Sequence, residues 1–413
     1  MGRSTRNGLV ISLHRQPGTA RKGQRPMRIV YIHAGDPGYY PPLMRSASIL
    51  AQRDWQVRVV GMRSKGSDRA RFWGPRVVVH VQERPRASLK IRYLVFAFRA
   101  LLEIAWHRPD WLYVSDVLAT PVGLVVNIVG HVRTVYHEHD APDEAPRGVI
   151  DRIVFRCRRW LVRRAELCVV PSAARVVALP EKRKSADSFV VVHNMPLRSE
   201  SRARAVAEGE EFRILYIGSI VPARLPLALI DAMTRLPRHV VLWLAGYETI
   251  GSPGWVDELE RAARRQGVQH RLKWFGFLPF DEVPALTASC DLGLCLFRTE
   301  GTTFNEGTVA SNKPFSYLGC GLPILVPDIP VWHSAFVDCG LGGACRPESP
   351  ESIAEAVQWF ISNPGRARQM GERGRRLILS HWNYESEFKP VVHMLEKGSQ
   401  KAGELISKGR PAV

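Results

Sequence analysis

The feature that most constrains this chain is a pattern that occurs twice. Met27-Arg-Ile-Val-Tyr-Ile-His-Ala-Gly35 is a short β-branched and aromatic run ending in a glycine turn. Phe212-Arg-Ile-Leu-Tyr-Ile-Gly-Ser219 repeats it about 185 residues later. Each run precedes a helix-like segment, Leu43–Arg53 and Leu225–Arg235. Each of these leads into a further buried strand, Gln56–Gly61 and His239–Ala245. Two strand–loop–helix–strand openings predict two doubly wound α/β domains. A length of 413 residues accommodates them.

The stretch between the halves, Leu197–Glu211, is polar and charged and reads as a linker. The expected organisation is a basic, disordered arm over 1–26, a first domain over 27–196, a linker over 197–211 and a second domain over 212–380. A helix over 381–396 and a tail over 397–413 follow. In the second half, Trp255–Gln266 and Phe280–Ala288 read as helices, and Leu272–Phe277 and Leu292–Phe297 as strands. Ligands of such sheets sit outside the carboxyl ends of the strands. The loops Gly218–Arg224, Gly246–Gly254, Gly276–Glu282 and Arg298–Ser311 are therefore the ones to watch.

Lys and Arg total 58 against 39 Asp and Glu, a formal charge of +19, which favours anionic partners. Seven cysteines without a CxxC pair read as buried thiols in a reducing cytosol, not as a disulfide frame or zinc site. The apolar region Leu112–Val132 carries Asp116, Asn127 and His131, and suits a strand, turn and helix better than a membrane span. No signal peptide is apparent, so a cytoplasmic location is expected.

Ser311-Asn312-Lys313-Pro314 is a helix-start signal. A helix mouth offers free N–H groups and a positive dipole end, and Lys313 adds a charge beside them, a combination that suits phosphate. Gly35-Asp-Pro-Gly-Tyr-Tyr-Pro-Pro42 is a tight turn before a helix carrying Arg45, and its Gly35, Asp36 and Gly38 read equally as ligand-facing or as plain turn residues. Asp116 ends another apolar run. In Tyr136-His-Glu-His-Asp140, consecutive side chains of extended backbone cannot all face one ion, which argues against zinc.

Five motifs, in order, resemble those of GT-B glycosyltransferases of family four. They are Tyr216-Ile-Gly-Ser-Ile-Val-Pro-Ala-Arg224, Phe275-Gly-Phe-Leu-Pro279, Cys290-Asp-Leu-Gly-Leu, Ser311-Asn-Lys-Pro-Phe-Ser-Tyr-Leu-Gly-Cys-Gly-Leu-Pro323 and Trp382-Asn-Tyr-Glu385. The resemblance implies two Rossmann-like domains facing a cleft, with a C-terminal helix crossing back to the first domain. It implies a nucleoside-diphosphate sugar as donor, no cofactor, and a glycan or lipid-linked acceptor for cell-surface polysaccharide or glycolipid synthesis. Transfer with retention of configuration is implied too. Lys313 and Arg224 would hold the diphosphate. Gly218, Ser219, Gly246, Gly276, Phe277, Leu278, Asn312 and Tyr317 would line the donor site, and Gly35, Asp36, Gly38, Arg45 and Asp116 the acceptor side. His137 would face the reacting sugar.

The chain departs from the family where Ser316 and Thr308 stand in place of carboxylates, one of which grips both ribose hydroxyls. Glu306 and Glu248 are the nearby replacements. These departures keep two alternatives open, a GT-B protein that binds glycans or partners without catalysis and a nucleotide-sugar epimerase of the same architecture. Without an Asp-x-Asp motif or clustered His/Asp ligands, a metal is not expected. Asp151–Glu166 carries six arginines among Ile, Val, Phe, Trp and Leu, and Lys90–Trp106 is apolar with a few cations. Both admit contact with an anionic membrane surface, and equally two domain helices with solvated faces. No nucleic-acid-binding signature is visible.

Overall fold

The computed structural model describes residues 25–63, 76–82, 88–139, 148–178, 188–204, 210–249, 251–298 and 310–407. Among these, the first half is a seven-stranded sheet in the order β3-β2-β1-β4-β5-β6-β7. Its strands are β1 (Arg28–His33), β2 (Gln56–Met62), β3 (Val77–Gln82), β4 (Trp111–Ser115), β5 (Arg133–His137), β6 (Leu167–Val170) and β7 (Phe189–Val191). The second half is a six-stranded sheet in the order β10-β9-β8-β11-β12-β13. These are β8 (Phe212–Ile220), β9 (Val240–Glu248), β10 (Leu272–Gly276), β11 (Leu292–Leu294), β12 (Ile324–Pro327) and β13 (Gly342–Cys345). Every pairing is parallel.

The strands were legible as unbroken apolar runs because both faces of each sheet are covered. In β1, Ile29 and Tyr31 point into one core with α1 (Pro41–Gln52), while Val30 and Ile32 point into the other. That second core is closed by α2 (Leu89–His107), α3 (Thr120–Val129) and α4 (Val149–Arg164). β8 divides likewise, with Ile214 and Tyr216 on one side and Leu215 and Ile217 on the other. All seven cysteines are free thiols.

Several boundaries shift. The helix expected from Leu225 begins at Ala228, the one expected from Phe280 begins at Val283, and the strand expected to reach Phe297 ends at Leu294. The C-terminal helix runs over Lys389–Ser407. Tyr384, Phe388, Val391, Val392 and Leu395 pack into the first sheet's core beside Ile29 and Trp55, so the chain's end crosses back to its beginning. His193 and Glu387 fasten that crossing, with His193 Nδ1 2.6 Å from the carboxylate.

The stretch read as a linker contains a buried anchor. Glu200 accepts from Arg45 Nε at 2.8 Å and from Nη2 at 2.6 Å, in the fork geometry that suits guanidinium and carboxylate. Both side chains are buried. The same guanidinium reaches Asn312 Oδ1 at 3.5 Å and lies over the Phe280 ring. One arginine of the first half thus touches the connector and the second half together. This corrects the expectation that Arg45 faces an acceptor: it is fully buried and engaged. Arg45→Ala leaves Glu200 buried and unpaired, and is expected to cost about 3–5 kcal/mol in denaturant unfolding, whereas the double change Arg45→Met with Glu200→Leu should recover most of it.

Candidate active site

A cleft of about 520 Å³ lies between the carboxyl ends of the two sheets, within the size range of small-molecule sites. The second half gives it a cationic floor. The helix over Asn312–Gly319 opens into the cleft through Ser311, Asn312 and Lys313. Ser311, not Asn312, is the cap, its hydroxyl accepting the Lys313 N–H.

Lys313 folds back over the sheet. Its side chain is buried, with Nζ 5.5 Å from the Tyr216 ring centre and 5.4 Å from that of Phe297. Gly218 makes the space: its φ is +111°, and a Cβ there would stand 3.1 Å from Nζ. Among the described residues no carboxylate pairs with Lys313. Burial, and then the neighbouring Arg224 charge, pull its pKa from 10.5 down to about 7. Arg224 donates to Ser219 Oγ, which aims its guanidinium along the same wall. Gly246 faces Gly218 across the β8–β9 pairing, where a Cβ would collide with the Gly218 carbonyl at 1.8 Å. Two glycines therefore let the backbones close under the cations.

The opposite wall comes from the first half, and the structure corrects the sequence reading there. His137 is fully buried, with Nδ1 2.6 Å from the Tyr113 hydroxyl, and it does not line the cleft. His139 does. Strand β5 ends at His137, so only the residue beyond the sheet edge reaches the opening. His139 Nε2 lies 3.0 Å from Ser115 Oγ, which is also 3.1 Å from His33 Nδ1. The His137 and His139 rings lie 4.0 Å apart, tilted by 42° to each other. His33 Nε2, His137 Nε2 and His139 Nδ1 are buried without a hydrogen-bond partner.

Other expected residues divide between the cleft and the scaffold. Gly38, Ser219, Phe277, Leu278 and Ser316 line the cleft. Tyr317 does not: it is core, its hydroxyl accepting the Ile217 N–H at 2.9 Å while its ring lies where a Gly293 side chain would stand. Helix phase sets this, because neighbours on a helix differ by about 100°. Asp36 accepts the Gly38 N–H and Asp116 the Val117 N–H, so both carboxylates shape their turns. Asp116 also holds φ +71°. Gly35 and Gly276 stand outside the lining, Gly276 at φ +64°. Glu248 accepts the Val256 N–H at 2.7 Å, at the start of the next helix. Glu306 and Thr308 lie outside the described residues.

The sequence reading missed Arg175, Asn194 and Tyr39 in the lining. Asn194 donates to the Ala310 carbonyl at 2.6 Å across the halves, leaving its Oδ1 without a partner. Tyr39 meets Phe277 at 4.6 Å and Tyr247 at 5.5 Å, closing one end of the cleft with aromatic rings from both halves. The signal for Tyr39 was present in the Tyr-Tyr-Pro-Pro turn.

Burial lowers the His33 pKa to about 4 and that of His137 to about 3, and pushes His139 the same way. The unfolded chain takes up protons near pH 6.5, before the folded one does. Stability is therefore full above that pH and is lost as pH falls through 6.5 toward 4, at up to about 1.4 kcal/mol per pH unit for each histidine. Thermal unfolding between pH 7 and 5 should show this slope, and His137→Gln should flatten it.

Residues 198–377 match the family model described as glycosyl transferases group 1, and residues 41–195 match the glycosyl transferase 4-like domain. A curated relative is the GDP-mannose-dependent alpha-(1-6)-phosphatidylinositol monomannoside mannosyltransferase of Mycolicibacterium smegmatis, 24% identical over 190 residues. That match covers 45% of this chain and 48% of the relative, so the chain spans about half the length of the curated relative it matches. Among solved structures, Anabaena Alr3699/HepE in complex with UDP and glucose aligns with a TM-score of 0.68 at 19% identity, over 90% of this chain and 100% of that one. Sucrose-phosphate synthase from Thermosynechococcus elongatus aligns with a TM-score of 0.69 at 14% identity, over 93% and 100%. These likenesses show the fold, the GT-B pair of facing sheets. The two domain models together span most of the chain, which belongs to the glycosyltransferases, with a group 1 half following a 4-like half.

Proposed function

We propose that the cleft takes a nucleoside-diphosphate sugar and passes its sugar to a glycan or lipid-linked acceptor, in the building of cell-surface polysaccharide or glycolipid. One observation carries this reading. A lysine ammonium is buried beside an arginine at a helix mouth, on two glycines, and among the described residues no carboxylate pairs with it. Such a site is costly to keep without an anion and well suited to one. When the sugar–oxygen bond breaks, negative charge develops on the departing diphosphate, and stabilising that charge is the main catalytic task. Lys313, Arg224 and the helix mouth stand where they would do it. His139 on the facing wall would stand against the sugar or the incoming hydroxyl, a role first ascribed to His137. Residues 27–196 would then serve the acceptor and 212–380 the donor, with retention of configuration.

The similar proteins name two donor types, GDP-mannose in the curated relative and UDP with glucose in the solved complex. Guanosine and uridine diphosphates are therefore the first probes. Ser316 favours a second reading, in which the fold binds without catalysis. It lines the cleft on the helix turn where a carboxylate would grip the ribose, and loss of a hydrogen bond to a charged group costs about 1.5–3 kcal/mol.

Calorimetric titration with UDP, GDP, ADP and TDP separates the readings. The native protein should bind one or two of them selectively and, given an acceptor, transfer the sugar. Binding gained only in Ser316→Glu would instead favour the non-catalytic reading. Lys313→Ala and Arg224→Ala should each weaken binding roughly 10–100-fold without unfolding the protein.

The depressed Lys313 pKa adds a pH signature. The anion binds the charged ammonium, so affinity should fall as pH rises above about 7, by up to about tenfold per unit. Lys313→Met should abolish that dependence between pH 7 and 9.

A further inference from the structure

Large apolar side chains are not scattered over this surface. Of nineteen that are exposed among the described residues, fourteen belong to α2, α3, α4 and the turn before α3. On α2, Leu94, Phe98, Leu102 and Trp106 recur at helical spacing along the outer side, with Trp106 84% exposed. The inner side of α2, with Phe96, Ala100 and Ile104, is equally apolar and already packed on the sheet. A helix that is apolar on both sides has a second medium to face. On α4, Val149, Ile153 and Trp160 share the outer side with Arg156 and Arg163. Arg156, Arg159, Trp160 and Arg163 line one shallow crevice.

The three helices form one layer. All pack on the same face of the first sheet, and the Tyr93 hydroxyl of α2 donates to the Leu118 carbonyl beside α3. Among the described residues of these helices the charge of the layer is one-sided. Lys90, Arg99, Arg152, Arg156, Arg159 and Arg163 are exposed, whereas its two acids in these helices are Glu103, paired with Arg58, and Asp151.

We infer that this layer is a docking surface for an anionic lipid bilayer, with the aromatic and aliphatic side chains entering the interface and the arginines meeting lipid phosphate. Charge complementarity selects this occupant. A second copy docked by two-fold symmetry would bring the same arginines face to face, whereas anionic headgroups attract them. No described helix is long and apolar enough to cross a membrane, so the contact is peripheral. Each of α2, α3 and α4 follows a strand of a parallel sheet, so their first turns stand at the end where the cleft opens. An acceptor carried on a lipid would then reach the cleft from the bilayer. That last point rests on the transferase reading; the surface itself does not.

The test is co-sedimentation of the full chain with vesicles of phosphatidylcholine alone and of phosphatidylcholine mixed with phosphatidylglycerol, without substrate. The protein should partition onto the mixed vesicles, and added salt should weaken it. Arg156→Gln, Arg159→Gln and Arg163→Gln together should lower the partition roughly a hundredfold, and Phe98→Ser with Trp106→Ser should also lower it. Neither variant should change the nucleoside diphosphate titration, which tests the donor site separately. Equal binding to both vesicle types, no binding, binding that survives the triple substitution, or self-association in place of binding would overturn the inference.

Discussion

A buried ammonium, with no carboxylate partner among the described residues, is the constraint around which the second half is arranged. Lys313 needs room, and Gly218 gives it at a φ that other residues rarely adopt. It needs to be held near the cleft, and the Ser311-capped helix does so. Aromatic faces of Tyr216 and Phe297 take part of its charge. What they leave is a cation poised near its neutral form, and on the proposed reading an arriving diphosphate would be the partner that restores the charge. Arg224 beside it makes the site worse for two cations alone and better for two cations with an anion.

The helix that carries Lys313 is also where the halves meet. Arg45 reaches across from the first half to Glu200 and Asn312, the residue next to Lys313. Asn194 holds the Ala310 carbonyl just before that helix. The crossing C-terminal helix ties the far end of the chain into the first core. The position of the cationic floor relative to the histidine wall is therefore set by buried contacts at several points. The exposed apolar layer lies on the other side of the first sheet from α1 and the crossing helix, which leaves it clear of these joints.

The sheets were readable because the strands are covered on both faces and so appear as continuous apolar runs. The helix mouth was readable because serine, lysine and proline each have a local reason to be there. The misreadings have physical causes of a different kind. Tyr317 and Ser316 are adjacent in sequence, and only the phase of a short helix decides which one sees the cleft. His137 is the last residue of a strand and His139 lies two residues beyond it, and the choice between them depends on where the sheet stops. Glu200 sits in a polar stretch that composition marks as a linker, while its partner lies 155 positions away. Long-range pairing of that kind leaves no mark on local sequence.

The central claim is that the diphosphate of a nucleotide sits on Lys313 and Arg224 at the mouth of the Asn312 helix. A crystal structure of the protein soaked with the nucleoside diphosphate that it binds tests this most directly. The account predicts diphosphate oxygens within hydrogen-bonding distance of Lys313 Nζ and the Arg224 guanidinium, above Gly218, with His139 facing them across the cleft. A nucleotide bound in the cleft with its diphosphate away from both cations would contradict it.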